Sequence, residues 1–198
     1  MDLGIPIPTI DAAVTMRGLS ALKARREEAA QHFGAIALRM PPVNRDVFVD
    51  QVGHALHFAF IITYAQGMHL LAEASKEYKY ELNMEVVARI WRGGCIIRAA
   101  LLEEMRKAYD EQPDLDNLLM APVFQSTLEQ EQTSARSVLA LALQYGRPTM
   151  AMTSALNYFD AYRTARLPLN LVQAQRDYFG SHTYERVDKE GIFHTEWE

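Results

Sequence analysis

The stretch HALHFAFIITYAQGMHLLAEA, from His54 to Ala74, decides how the rest of the chain is read. It is far longer than a strand of about six residues and is apolar on nearly every side of a 3.6-residue repeat, which predicts a central, buried helix. His54, His57, Gln66, His69 and Glu73 interrupt it. Those side chains would be costly in lipid but are tolerable in a protein interior that offers partners, so the reading is a core helix from Asp46 to about Tyr78 and not a membrane span.

Working outward, Val14, Met16, Leu19 and Leu22 fall at mostly helical spacing and predict a helix from Ile10 to about Phe33, opened by Thr9 or Asp11 behind Pro8. Gly34 to Asn44, with Pro41-Pro42, breaks that helix and forms a packed connection. Beyond the central helix, Asn83 caps a short helix to Ile90, ended by Gly93-Gly94. Further helices are expected over Cys95–Tyr109, from Pro122, over Thr133–Tyr145, over Met150–Arg166 and over Pro168–Tyr178. Gly146 and Pro148 stop the one before them. After Gly180 no helical stripe remains, and the tail is expected to be extended or irregular. No run alternates with period two for long enough to demand a sheet, so the predicted class is all-α.

Composition bounds the function. At 198 residues and 49% hydrophobic content the chain can bury roughly 70% of its unfolded surface in a single core. With 20 Lys+Arg against 25 Asp+Glu and a formal charge of -5, no stretch is basic enough to neutralise a run of phosphates, so nucleic acid is not expected as a partner. One cysteine, Cys95, allows no internal disulfide and no cysteine-rich zinc cage, which points to a reducing cytoplasm. The start, MDLGIPIPTIDAAV, does not read as a secretory leader.

Motifs for redox chemistry are absent from the sequence: neither G-x-G-x-x-G nor G-x-x-x-x-G-K occurs, and Gly93-Gly94 reads as a break between closely packed helices. Cys95 sits at an expected helix start, where the dipole could make it nucleophilic, but with no identifiable base a buried structural thiol is favoured. His54 and His57 lie one turn apart and could share a metal-binding face, with His69 further along. No carboxylate stands at the complementary spacing, so core or interface histidines are favoured over ligands, and no metal is expected. The nine methionines read as core filling. Arg176 and His182 differ, because they flank Tyr178-Phe179-Gly180 outside any obvious packing need. A guanidinium fork beside an imidazole suits a phosphate or carboxylate oxygen, and a structural pair closing the last helix is equally compatible with the residues alone.

The run NLVQAQRDYFGSHTYER, Asn170 to Arg186, with GIFHTEWE after it, closely resembles the C-terminal signature of decarboxylating 6-phosphogluconate dehydrogenases. The likeness continues through ALNYFDAYRTARLP, IWRGGCIIRA, ITYAQGMHLLAEAS and DLGIPIPTIDAAVTMRGLSALKARR, in the family's order along essentially the whole chain. The resemblance implies residues 1–180 as an all-helical domain entered partway along, and residues 181–198 as a tail reaching the partner subunit of a homodimer. It implies NADP as the coenzyme of the complete enzyme and 6-phosphogluconate as substrate. The family's glycine-rich coenzyme turn, catalytic lysine and glutamate are expected to lie outside this sequence, so this chain alone is expected to bind no coenzyme and to catalyse nothing.

Three substrate contacts carry over by resemblance: Arg17 in AAVTMRGLS to the substrate phosphate, and Arg176 in AQRDYFG with His182 in SHTYE to the partner subunit's site. His57-Phe58-Ala59-Phe60 departs from a family stretch that is more polar and usually carries a lysine, and the sequence stops at Glu198 where many members continue into a glycine-rich extension. The implied function is the substrate-binding and dimerisation portion of the oxidative decarboxylase of the pentose phosphate pathway, a cytoplasmic enzyme. The reading from another class is a helical dimerisation or scaffold module without catalysis. Extended, the 15 residues from Tyr184 to Glu198 could reach about 50 Å, with Phe193 and Trp197 as anchors in the partner.

Overall fold

The computed structural model describes residues 3–34, 36, 42–94 and 99–197. Among these the chain is all-α, as the periodicities predict: α1 (Pro8–Ala21), α2 (Lys23–Phe33), α3 (Arg45–Tyr78), α4 (Met84–Trp91), α5 (Leu101–Glu111), a 3-10 turn (Leu118–Met120), α6 (Pro122–Gln144), α7 (Met150–Tyr162) and α8 (Asn170–Gly180), then two-residue strands β1 (Tyr184–Glu185) and β2 (Ile192–Phe193). The chain divides into a body up to Phe159 and a smaller tail unit from Asp160 onward.

The body is organised around α3. Asn44 opens it, its side chain accepting from the backbone N–H groups of Asp46 and Val47, and Lys79 in the left-handed region closes it. Phe58, Ile61, Ile62, Ala65 and Met68 are buried, and the helix packs along α6 and the 3-10 turn. Phe58 meets Phe159 edge-to-face with ring centroids 5.2 Å apart. α3 is long and apolar enough to cross a membrane by composition; 44% of that apolar window is buried inside the protein, while Leu56 and Phe60 remain exposed. A second anchor joins α4 to α5: Arg106 pairs with Glu103 at 3.1 Å and Glu85 at 3.2 Å, while Arg92 also engages Glu103. These contacts raise the Arg106 pKa further and lower that of Glu103.

Several expected boundaries move. The helix expected over Ile10–Phe33 is two, broken at Leu22 (φ -84°, ψ 50°), because the Arg26 side chain donates from Nε to the Leu19 carbonyl and from Nη2 to that of Ser20, capping α1 from outside. The helices expected from Pro122 and from Thr133 are one, α6, because nothing between them breaks a helix. Pro122 occupies the first turn, where it costs no hydrogen bond, and the polar run after it is rich in helix-forming Gln and Glu. α5 begins at Leu101; of the expected start at Cys95, residues 95–98 lie outside the described ones. α7 stops at Tyr162 rather than Arg166, with the Thr164 hydroxyl donating back to the Asp160 carbonyl.

In the tail unit, α8 ends at Ser181 in the left-handed region (φ 51°), whose N–H donates to the Asp177 carbonyl. The chain then forms a short antiparallel hairpin pairing Tyr184 with Phe193 and Glu185 with Ile192. The residues after Gly180 are extended or irregular, as expected, but they do not run straight out. They double back onto α8.

Candidate functional site

Arg17 lies on the exposed face of α1. That helix is fixed at its N-terminus by a reciprocal pair: the Thr9 N–H donates to Gln66 Oε1 at 3.0 Å and Gln66 Nε2 donates to Thr9 Oγ1 at 2.8 Å. Both residues are buried, so each bond satisfies a group that water cannot reach. Eight residues later, about 12 Å along the helix axis, Arg17 emerges from a helix whose start is held on α3.

Along the chain, Arg176 and His182 sit in the tail unit on either side of Asp177. Its side chain is fully buried and accepts four hydrogen bonds. Oδ1 takes the Thr183 N–H (3.0 Å) and His194 Nδ1 (2.9 Å); Oδ2 takes the Thr195 N–H (2.9 Å) and Trp197 Nε1 (3.0 Å). A carboxylate has about four acceptor positions, and all are used. Since it can only accept, His194 Nδ1 must carry the proton. Burial pushes the Asp177 pKa up, and the bonds from Thr195, His194 and Trp197 together outweigh it and hold the pKa at about 2.

The same framework carries both substrate candidates. Arg176 precedes Asp177, and its Nη1 donates to Gln173 Oε1 at 3.4 Å, while Gln173 Nε2 donates to the Thr183 carbonyl at 2.6 Å. His182 stands between Ser181 and Thr183, both with positive φ and both donating their N–H to Asp177. The His182 ring folds over Gly180, where an added Cβ would lie 2.8 Å from Nε2.

The other candidates resolve differently. His57 Nδ1 lies 2.9 Å from Glu131 on α6, so the complementary carboxylate that sequence spacing did not supply comes from 74 positions away. His54 is exposed, and the Nδ1 of His69 is buried with no hydrogen-bond partner. No group of three metal-ligating side chains occurs among the described residues. Cys95 lies outside those residues.

The family model for the 6-phosphogluconate dehydrogenase C-terminal domain matches residues 1–197. The chain belongs to the 6-phosphogluconate dehydrogenase family. It is 49% identical over 197 residues to the decarboxylating 6-phosphogluconate dehydrogenase of Synechococcus elongatus, covering 100% of this chain and 42% of that protein. It is 47% identical to the NADP(+)-dependent, decarboxylating enzyme of Bacillus subtilis with the same coverage. A Plasmodium falciparum 6-phosphogluconate dehydrogenase, solved in its apo form, with its cofactor NADP+ and with its substrate 6-phosphogluconate, superposes with a TM-score of 0.91 at 41% identity, covering 98% of this chain and 42% of that one. The chain thus spans less than half the length of the 6-phosphogluconate dehydrogenases it matches.

Sequence reasoning singled out Arg176 and His182 but missed Asp177, His194 and Gln173. The available signal was weak: an acidic residue between Arg176 and Tyr178 in the last helix, and a tail in which His194, Thr195 and Trp197 supply N–H donors with no visible acceptor.

Proposed function

We propose that this chain is the substrate-binding and dimerising portion of a decarboxylating 6-phosphogluconate dehydrogenase, which oxidises 6-phosphogluconate to ribulose 5-phosphate and carbon dioxide in the cytoplasm with NADP+ as hydride acceptor. The observation that carries the reading is the match to the family's C-terminal domain over residues 1–197. The arrangement around Asp177, which holds a guanidinium and an imidazole on one folded piece, supports it.

The residues present do not fit the coenzyme. A pyrophosphate needs a glycine-rich turn leading into a helix N-terminus, and the sequence contains no G-x-G-x-x-G. What these residues do is bind and orient an anionic sugar. Arg176 offers a planar fork for two phosphate oxygens, His182 offers an N–H or a lone pair beside it, and Arg17 offers a second guanidinium. Two arginines converge on one point only where an anion lies between them, which suits the phosphate end of the substrate.

In this reading Arg17 belongs to one subunit's site while Arg176 and His182 complete the site of the other. The tail unit crosses as a folded piece, α8 with its hairpin, since Trp197 is already committed to Asp177 of its own chain.

The test is complementation in the complete enzyme. Arg176→Ala should mainly raise KM for 6-phosphogluconate, and mixing it with a catalytic-lysine variant should restore activity through hybrid dimers that hold one intact site. Failure to recover activity, with subunit exchange shown independently, would place the arginine in its own chain's site and end the cross-subunit reading.

A further inference from the structure

Asp177 is the one fully buried residue among the described residues of the tail unit, and it is charged. A buried carboxylate is expensive unless every lone pair is met, and here four donors from two separate places meet it: Thr183 in the loop after α8, and His194, Thr195 and Trp197 near the end of the chain. The loop that it grips holds two non-glycine residues, Ser181 and Thr183, at φ 51° and 61°. Such backbone persists only where surrounding contacts over-determine it. Both residues flank His182, and both donate their N–H to Asp177, one to the main-chain carbonyl and one to the carboxylate.

We propose that Asp177 is the positioning residue of the phosphosugar site, fixing the distance and angle between Arg176 and His182 by locking the 181–183 loop and the end of the chain to α8. The proposal rests on the functional reading above and deepens it. Asp177 itself touches no substrate; it acts through its neighbours. Bidentate phosphate recognition tolerates little displacement, so a loosened loop costs substrate affinity before it costs the fold. Gly180 belongs to the same device. The His182 ring occupies the space a Cβ would take, and because that ring is the free end of a side chain, a methyl at Gly180 moves the ring rather than the helix.

Two measurements on two variants test this. In the complete dehydrogenase containing this chain, Asp177→Asn should raise KM for 6-phosphogluconate by about tenfold with kcat and KM for NADP+ changed by less than about twofold, and Asp177→Ala should raise it further, because asparagine keeps one acceptor for the Thr183 N–H. Gly180→Ala should raise the same KM by several-fold while leaving the thermal midpoint unchanged. In parallel, the indole N–H resonance of Trp197, assigned by its loss in Trp197→Phe, should move to the position of a water-exposed indole in Asp177→Ala but not in Gly180→Ala. A shifted Trp197 resonance with unchanged KM would mean that the carboxylate orders the tail without positioning the site, and the proposal falls. A proportional loss of kcat and of affinity for both substrates would mark a folding defect and also overturn it. If the unmodified enzyme shows no 6-phosphogluconate-dependent reduction of NADP+, the functional reading fails first, and the proposal with it.

Discussion

In the body the interior is hydrocarbon: Phe58, Ile61, Ile62 and Met68 of α3 join Phe124, Leu128 and Leu139 of α6 in one core, and of the polar groups buried with them Gln66 and Asn117 are paired while His69 Nδ1 is not. In the tail unit the position of a core is taken by one carboxylate with four donors around it. The first kind of interior is non-directional and scales with area, so it tolerates small shifts and resists pH. The second is directional, all-or-none in its geometry and titratable. A site that must hold a guanidinium and an imidazole at a fixed separation gains from the second kind, while a scaffold gains from the first.

The contrast can be broken most forcefully from the body side. Phe58→Ala removes a fully buried ring from between α3 and Phe159 and should cost about 3–5 kcal/mol, read as a lower denaturant midpoint for the helical signal. If the tail is held by its own polar hub, the Trp197 indole resonance of the residual folded fraction should be unchanged.

Next in size is Gln66→Leu, which leaves the Thr9 N–H and hydroxyl buried without partners and should cost about 1–3 kcal/mol. It also frees the start of α1, so on the proposed role of Arg17 in phosphate binding KM for 6-phosphogluconate should rise in the complete enzyme. An unchanged KM would mean that α1 is held elsewhere.

Acid separates the two interiors directly. The Asp177 pKa is held at about 2, below the ordinary 3.8 for an aspartate, so its contribution to tail order is complete above the ordinary value and is lost as pH falls through about 2. A pH titration of the Trp197 indole resonance should therefore show a midpoint near 2. A midpoint at or above 3.8 would show that the four hydrogen bonds do not hold the carboxylate ionised. The smallest effect expected is that of Glu131→Gln. It weakens a partly exposed pair with His57 and should change stability by only about 0.5 kcal/mol, measurable in chemical denaturation.

Much of the body was legible from local pattern. The limits of α3 agree with the expected Asp46–Tyr78 to one residue because an unbroken apolar repeat, an Asn cap and a polar end all coincide there. The cap at Asn83 was legible for the same reason, its side chain accepting from the Val86 N–H. The break at Leu22 was not, because the cause is Arg26 reaching back to carbonyls six and seven residues earlier, a contact with no compositional mark. Nor was the continuity of α6, where polar residues at Gln125, Glu129 and Gln132 resemble a linker but are good helix formers on a solvated face.

The sequence by itself determined the all-α class and the central helix, since these follow from periodicity read over short windows; the phosphate role of Arg17, Arg176 and His182 is implied by the family resemblance and stands as a proposal. Only the tertiary structure decided which groups act together. Glu131 reaches His57 across 74 positions, Gln66 reaches Thr9 across 57, and Trp197 returns to Asp177 across 20. Each of these is a hydrogen bond whose existence depends on the chain folding back to bring a donor within about 3 Å of an acceptor, and no local propensity carries that information.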